Sequence, residues 1–395
     1  MILLLCGLLE AFAAERRFVP AVGARAPDAA AADLAATVAD GRYDARVYEG
    51  SRQLGLSLEF VHFCRMGLEQ IFQRRYGDAK TLFAELAVEY PGTAVQPIAE
   101  LITWQAKMLE SWDLRYDREY RAASGRARAE LEASAQRPGA ESWEQLMLTG
   151  VLGIEAMHAA RQGKYLGALT MAVSAMEHAE ATRAVAPEFV DLALADGLYH
   201  YWRAALARTT DLIPDGEDTR AQGIEEIRRV EDHGVFLSAP ATLAMVYTWM
   251  EEKRLDDALA AAERNRKRYP NNIINEMLLG VVQLMRKDFA PALAAFEHIR
   301  KVDPNNQRAV YLRGVALFRL GRLDEARGDL ESYLATDIPD TEKRAMGHLR
   351  LGQVYEGLGR LEDASLQYRA AVKLGAPNEA KVALAALESR LGTGG

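Results

Sequence analysis

Apolar residues recur along this chain with the spacing of one helix face, and six segments share the same local pattern around a single alanine. In each segment, a large apolar residue lies three positions before the alanine and another apolar residue lies four positions after it. These offsets follow one stripe of an α-helix, so each segment predicts a helix that buries this stripe. The small alanine indicates that a neighbouring helix approaches closely there. The six alanines are Ala79, Ala168, Ala258, Ala292, Ala326 and Ala364.

Residues that end helices recur at fixed distances from these alanines. A proline follows five of the alanines after twelve or thirteen positions, as at Pro270 and Pro304. Proline cannot continue a helix, and it disfavours helical geometry in the residue before it. A glycine lies five positions before three of the alanines, as at Gly321 and Gly359, and indicates a tight turn. Each unit is therefore predicted to be a pair of helices.

The units follow one another at a constant interval. Ala258, Ala292 and Ala326 are equally spaced, since 292 − 258 = 34 and 326 − 292 = 34. The next interval, to Ala364, is longer, because four extra residues fall near the segment DIPDTEKR. A period of about 34 residues with two helices per unit is the signature of the tetratricopeptide repeat.

The sequence accordingly resembles the tetratricopeptide repeat (TPR) family. In the last unit, Leu351, Gly352 and Tyr355 match the first helix of the family motif. Ala364 and Tyr368 match its second helix. The resemblance covers residues 237–376, a single unit at 57–91 and, more weakly, residues 141–182.

The resemblance implies an all-α fold, a right-handed α-solenoid of TPR-like helix pairs with a diverged N-terminal helical half. No segment has the alternating pattern of a strand. The expected organisation is a signal peptide at 1–14, a linker or loosely packed segment at 15–45, a diverged helical region at 46–235, a regular TPR array at 236–376, and a capping helix and tail at 377–395. Outside the regular array, helices are predicted at 57–74, 76–90, 141–161, 164–182, 187–208, 218–232 and 378–391, with one or two more across 94–135.

The last predicted helix suits a cap, since a repeat array otherwise exposes the apolar face of its final unit. Ala383, Leu384 and Leu387 are expected to cover the last repeat, whereas Glu379 and Arg390 are expected to face water.

In a TPR array the first helix of each pair lines the concave side, which forms a groove. The residues at these positions are mostly apolar and aromatic, with a few charges at the rim, so they suit an extended or amphipathic peptide with apolar anchors. The predicted protein-binding residues are Met277, Val281, Leu284, Arg308, Tyr311, Val315, Phe318, Arg319, Gln353 and Glu356.

The mode of binding at this groove has one exclusion and one alternative. Family members that bind a C-terminal carboxylate use Lys and Asn where this chain has Met277, Val281, Tyr311 and Val315, so the resemblance does not imply a carboxylate clamp. The groove could instead be filled by the protein's own N-terminal helices or by self-association, because an apolar surface of this kind usually has a partner.

The predicted function is a non-enzymatic scaffold that binds a protein or peptide. The sequence lacks the HExxH, GxSxG and phosphate-loop motifs, so no catalytic residue, metal ligand or cofactor is predicted. One alternative is a small-ligand sensor or enzyme with a pocket near Tyr199–Trp202, although aromatic residues on a helix are also typical of packing. The other is a self-associating structural subunit of an envelope assembly.

The charges of the chain argue against nucleic acid as a partner and against a calcium site. Lys and Arg number 48 and Asp and Glu number 56, so the net charge is 48 − 56 = −8, which argues against nucleic acid. The basic run Arg264–Arg268 ends a predicted helix, where cations suit the helix dipole. The acidic loop with Asp211, Asp215 and Asp218 lacks the ligand spacing of a calcium site.

The N-terminus predicts export, with a cytoplasmic location as the alternative. Its apolar run, Ile2–Leu9, is too short to span a membrane but suits the core of a secretory signal. Ala11 and Ala13 give the small-x-small form of a cleavage site, although no basic residue precedes the run. The expected destination is the periplasm.

Overall fold

The computed structural model of this protein describes residues 43–134, 141–208, 217–338, 340–376 and 378–392. All regular secondary structure in these residues is helical. The predicted signal peptide, and the predicted linker except for its last three residues, lie outside the described residues. Two compact units divide the described chain. The first comprises the residues up to Met108 together with Leu114–Glu252, and the second comprises Leu109–Asp113 together with the residues from Lys253 onwards.

The first unit consists of helices that pack on their neighbours in the chain. Its α-helices are α1 (Ala45–Leu54), α2 (Leu58–Phe72), α3 (Tyr76–Glu89), α4 (Val95–Ser111, whose last turn belongs to the second unit), α5 (Asp117–Ser134), α6 (Glu141–Arg161), α7 (Tyr165–Val185), α8 (Ala193–Ala207), α9 (Arg220–His233) and α10 (Ser238–Glu251). A 3₁₀ turn, Val190–Leu192, precedes α8.

The second unit is a regular stack of helix pairs. Its helices are α11 (Leu255–Arg268), α12 (Ile273–Arg286), α13 (Phe289–Val302), α14 (Gln307–Arg319), α15 (Leu323–Leu334), α16 (Thr341–Gly357), α17 (Leu361–Lys373) and α18 (Asn378–Gly392). One cluster of buried side chains extends from Ile273 in α12 to Leu387 in α18. The prediction of an all-α solenoid built of TPR-like helix pairs is confirmed.

Helix α1 is absent from the helices that the sequence pattern predicts. The residues at its two ends are nevertheless typical of helix ends. Asp44 precedes it, and the Oδ1 of Asp44 accepts a hydrogen bond of 2.8 Å from the N–H of Arg46. Gly55 follows it with a φ of 66°, a left-handed conformation that ends a helix at little cost in glycine.

The repeated alanines lie on the buried faces of their helices. All six have an exposed fraction of 1 % or less, as the predicted buried stripe requires. A glycine of the first helix faces a large side chain of the second helix in the same pair. A Cβ atom on Gly280 would lie 2.5 Å from the ring of Phe296, and one on Gly352 would lie 2.6 Å from the ring of Tyr368. Glycine at both positions lets the facing ring pack directly on the main chain of the first helix, and a larger residue would force that ring to move.

The turn inside each pair has one fixed backbone conformation. In all six repeats, the residue five positions before the alanine has a φ between 60° and 75°. Three of these residues are glycines, as predicted. The other three carry side chains in a left-handed conformation that favours glycine. The six residues are Arg74, Gly163, Lys253, Lys287, Gly321 and Gly359.

The C-terminal helix α18 packs on the last repeat as predicted. Leu387 is fully buried, and Ala383 and Leu384 pack against the core cluster of the second unit. Among the described helices, none combines the length and the apolar character that crossing a bilayer requires.

Candidate functional site

Three first helices, α12, α14 and α16, carry the predicted groove residues, and each begins at a capped end. Asn272, Asn306 and Asp340 precede them in extended conformation. The side-chain oxygen of each accepts a hydrogen bond from the N–H three residues later, at 2.9, 3.0 and 3.1 Å. Because the cap satisfies an otherwise unpaired N–H group, it fixes where each helix begins.

The groove positions of α12 and α14 are equivalent places in two successive repeats. Val281 precedes Val315 by one full repeat, and Leu284 precedes Phe318 by the same interval. All four side chains are half-buried, and Leu284 and Phe318 pack against the core cluster of the second unit. Together with two further residues of α14 they form what we call the first-helix surface. It consists of Val281, Leu284, Tyr311, Val315, Phe318 and Arg319.

Met277 does not contribute to this surface, contrary to the prediction. It is 1 % exposed and lies inside the core cluster of the second unit. Its equivalent in the next repeat, Tyr311, stays half-buried and packs its ring 5.1 Å from the ring of Tyr333. Burial raises the pKa of the Tyr311 phenol above its usual value. The helical period cannot separate these two cases, because both residues occupy the same repeat position.

Arg308 is engaged by the chain itself. The segment Leu109–Asp113 belongs to the second unit and contacts the first turns of α14 and α16. The Arg308 guanidinium lies over the ring of Trp112, 4.9 Å from its centroid. Lys343 Nζ donates a hydrogen bond of 2.8 Å to the main-chain oxygen of Trp112. Arg308 and Lys343 are therefore held by Trp112 of the same chain.

The sequence pattern gives no sign of this contact. Asn306 Nδ2 donates a hydrogen bond of 3.1 Å to the main-chain oxygen of Glu110. Main-chain acceptors are present in every residue, so such a contact leaves no trace in residue types. Trp112 itself has a φ of 55°, which is uncommon for a residue with a side chain.

The two predicted rim residues of α16 are bound by the protein itself. Gln353 Nε2 donates a hydrogen bond of 2.8 Å to Glu379 Oε1 of α18. Glu356 accepts a hydrogen bond from the Tyr368 hydroxyl and forms an ion pair with Arg390 of α18. Glu379 and Arg390, which were expected only to face water, thus tie the capping helix to the last repeat.

The aromatic cluster near Tyr199–Trp202 is packed into the first unit. Tyr201 and Trp202 have exposed fractions of 0 and 4 %, and their rings meet edge to face at 5.0 Å. The Tyr201 hydroxyl donates a hydrogen bond of 2.9 Å to Glu252. Burial raises the pKa of that hydroxyl. These contacts favour the packing interpretation over a ligand pocket.

The acidic loop offers little for a cation. Asp211 and Asp215 lie outside the described residues. Arg220 donates hydrogen bonds of 2.9 and 2.8 Å to the two oxygens of Asp218, and these bonds lower the pKa of Asp218 to about 2. Within the described ranges, no three His, Cys, Asp or Glu side chains are grouped so that they could hold a metal ion.

No family model matches the sequence, and no curated protein matches it. Solved structures of helical repeat proteins do match. A MamA structure (MSR-1) is 22% identical, with a TM-score of 0.36 over 47% of this chain and 95% of the other. A tetratricopeptide repeat protein from Parabacteroides merdae is 14% identical, with a TM-score of 0.41 over 74% of this chain and 99% of the other.

A third match is the Cut9–Hcn1 hetero-tetramer of the APC/C, at 13% identity and a TM-score of 0.43 over 82% of this chain and 62% of the other. At such identities and TM-scores, these similarities carry no argument about the function or the partners of this chain.

Proposed function

We propose that this tetratricopeptide-repeat protein is a non-enzymatic scaffold that binds a peptide segment of a partner protein on the first-helix surface. The observation that carries the proposal is the repetition of half-buried apolar side chains in one register. Val281 and Leu284 are repeated as Val315 and Phe318 at the interval of one repeat.

The chemistry of this surface describes the partner segment that suits it. Half-buried aliphatic and aromatic side chains favour apolar anchors, which an amphipathic helix or an extended strand presents at regular intervals. Arg319 lies exposed at the end of α14 and would favour an acidic group beside those anchors. Arg308, Gln353 and Glu356 are bound within the protein, so the expected contact area is centred on α12 and α14.

Photo-crosslinking in the native host tests this proposal. A photoreactive amino acid in place of Arg319 is expected to crosslink a partner protein, because this exposed position borders the first-helix surface. The matched control is Leu366 on α17, whose side chain is 64 % exposed on a second helix. Mass spectrometry of the products identifies the crosslinked peptide.

The pattern of crosslinks decides between the alternatives. A product at Arg319 that is absent at Leu366 supports a partner on the first-helix surface. A product that joins two copies of this chain supports the self-associating subunit instead. Equal products at both positions would contradict the assignment of the surface.

We also propose that the protein is exported to the periplasm. The support is the apolar run Ile2–Leu9 followed by the small-x-small motif at Ala11 and Ala13. Protein purified from its host is expected to begin at Ala14, as N-terminal sequencing would reveal. A sequence that begins at Met1 in a host able to process secretory signals would favour the cytoplasmic alternative.

A further inference from the structure

A cavity of about 690 Å³ lies in the second unit between α11 and α13, with α12 as its floor. This volume falls in the range of small-molecule sites, roughly 300–1,000 Å³. Leu259, Pro291 and Ala295 supply apolar wall. Glu276 and Gln283 contribute from α12. Glu276 and Val281 differ by about 140° around the helix axis, so the cavity and the first-helix surface use different faces of α12.

Two buried acceptors line this cavity without a donor. Glu276 is 3 % exposed and Gln283 is 8 % exposed. Among the described residues, no donor lies within hydrogen-bond distance of Glu276 Oε2 or of Gln283 Oε1. Buried polar groups are almost always paired, because leaving one unpaired costs free energy. Two unpaired acceptors in one cavity therefore favour a ligand that carries hydrogen-bond donors.

Glu276 has one cationic neighbour, which lies beyond hydrogen-bond distance. Its nearest cationic group is Arg266, whose Nη1 atom lies 3.8 Å from Glu276 Oε1 and whose side chain is 45 % exposed. Burial raises the pKa of the Glu276 carboxyl, although Arg266 and His298 oppose that shift. The lining also holds the carboxylates of Glu263 and Asp288 and the basic side chains of Arg266 and Lys267. Asp288 is already paired with Arg286, at 2.7 Å.

We propose that this cavity binds an alkylammonium or guanidinium group, with the Glu276 carboxylate as its anionic acceptor and the Gln283 amide oxygen as a second acceptor. Glu276 and Gln283 lie two helical turns apart, about 10 Å along the helix. The apolar wall suits a methylene stem between donors at that distance. The alkylammonium or guanidinium group would belong either to a free polyamine or to a Lys or Arg side chain of a partner protein.

Isothermal titration calorimetry on the full chain tests the site with two probes, spermidine and a capped arginine peptide, N-acetyl-arginine methylamide. Wild-type protein is expected to bind spermidine, and Glu276→Gln is expected to weaken that binding about tenfold or more, since a charge-assisted hydrogen bond is lost. Glu276→Gln preserves the side-chain volume. Gln283→Leu provides an independent second variant and is expected to weaken binding less.

The control is Glu362→Gln, which removes an exposed carboxylate from α17 and is expected to leave the affinity unchanged. Binding of spermidine alone supports the site with a free polyamine as its ligand, and binding of both probes supports it with a partner's side chain. If neither probe binds wild type at about 1 mM, or if Glu276→Gln binds spermidine with the affinity of wild type, the proposal is overturned. Because the crosslinking at Arg319 probes another face of the repeat, this proposal and the scaffold can fail separately.

Discussion

Substitution of Gly223 by alanine is expected to lower the free energy of unfolding of the first unit by about 3 kcal/mol. Gly223 lies in α9 where the main chains of α9 and α8 approach each other closely. A Cβ atom on Gly223 would lie 2.6 Å from the carbonyl oxygen of Gly197 and 2.6 Å from the main-chain nitrogen of Tyr201. A main chain inside a helix cannot rotate aside as a side chain can. The two helices would therefore have to separate along their whole contact.

Urea denaturation followed by tryptophan fluorescence measures this effect, because four of the five tryptophans lie in the first unit. Gly125→Ala is the matched control. Gly125 is exposed in α5, and a Cβ atom there would meet no atom within 4 Å. Alanine is expected to stabilise that helix by about 0.5–1 kcal/mol. If Gly223→Ala were as stable as Gly125→Ala, the close approach of α8 and α9 would be wrong.

Substitution of Asp191 by alanine is expected to lower the free energy of unfolding of the first unit by about 3 kcal/mol, since two main-chain donors lose their acceptor. Asp191 lies in the 3₁₀ turn before α8 and is 3 % exposed. Its two carboxyl oxygens accept hydrogen bonds of 2.8 and 2.7 Å from the N–H groups of Val235 and Phe236. These bonds fix the turn between α9 and α10. The same urea titration measures the loss.

The pH dependence of Asp191 gives a second measurement on the same residue. Burial raises the pKa of Asp191 to about 6, and the hydrogen bonds from Phe236 and Val235 oppose this shift only in part. Between about pH 4 and 6, the folded state then holds a proton that the unfolded state has released, so stability falls as the pH rises through this window. Above the window this contribution is constant.

Comparison with Asp191→Asn isolates this carboxyl from the other titrating groups, because the amide does not titrate. The stability of wild type relative to Asp191→Asn is expected to decrease from pH 4 to pH 6. A relative stability that rises over this range would mean that the hydrogen bonds outweigh burial and that the pKa of Asp191 is lowered.

The helices of this protein are well predicted because their signals are local. Predicted helices at 57–74, 141–161 and 378–391 correspond to Leu58–Phe72, Glu141–Arg161 and Asn378–Gly392. Proline, glycine and helical spacing act over a few residues, and the repeat presents the same signals several times. Helix α1 is not predicted by the pattern, because it is short and lies outside the repeat.

The candidate surface could be predicted only in part. Repeat register correctly relates Val281 to Val315, but it cannot tell that Met277 is buried while Tyr311 remains half-buried. It also cannot tell that Arg308 is engaged by Trp112, because these residues are far apart in the chain. Whether a surface residue is covered by another part of the chain depends on segments outside the repeat.

The sequence by itself determined the all-α repeat, its regular period and the burial of its alanines, because each follows from side-chain type and spacing along one helix. The tertiary structure alone decided which surface residues are covered and where α8 and α9 meet at Gly223. It also decided that Glu276 Oε2 and Gln283 Oε1 find no donor among the described residues. These features depend on main-chain atoms or on contacts between distant segments. Neither main-chain atoms nor contacts between distant segments can be read from the residue types of a short stretch of chain.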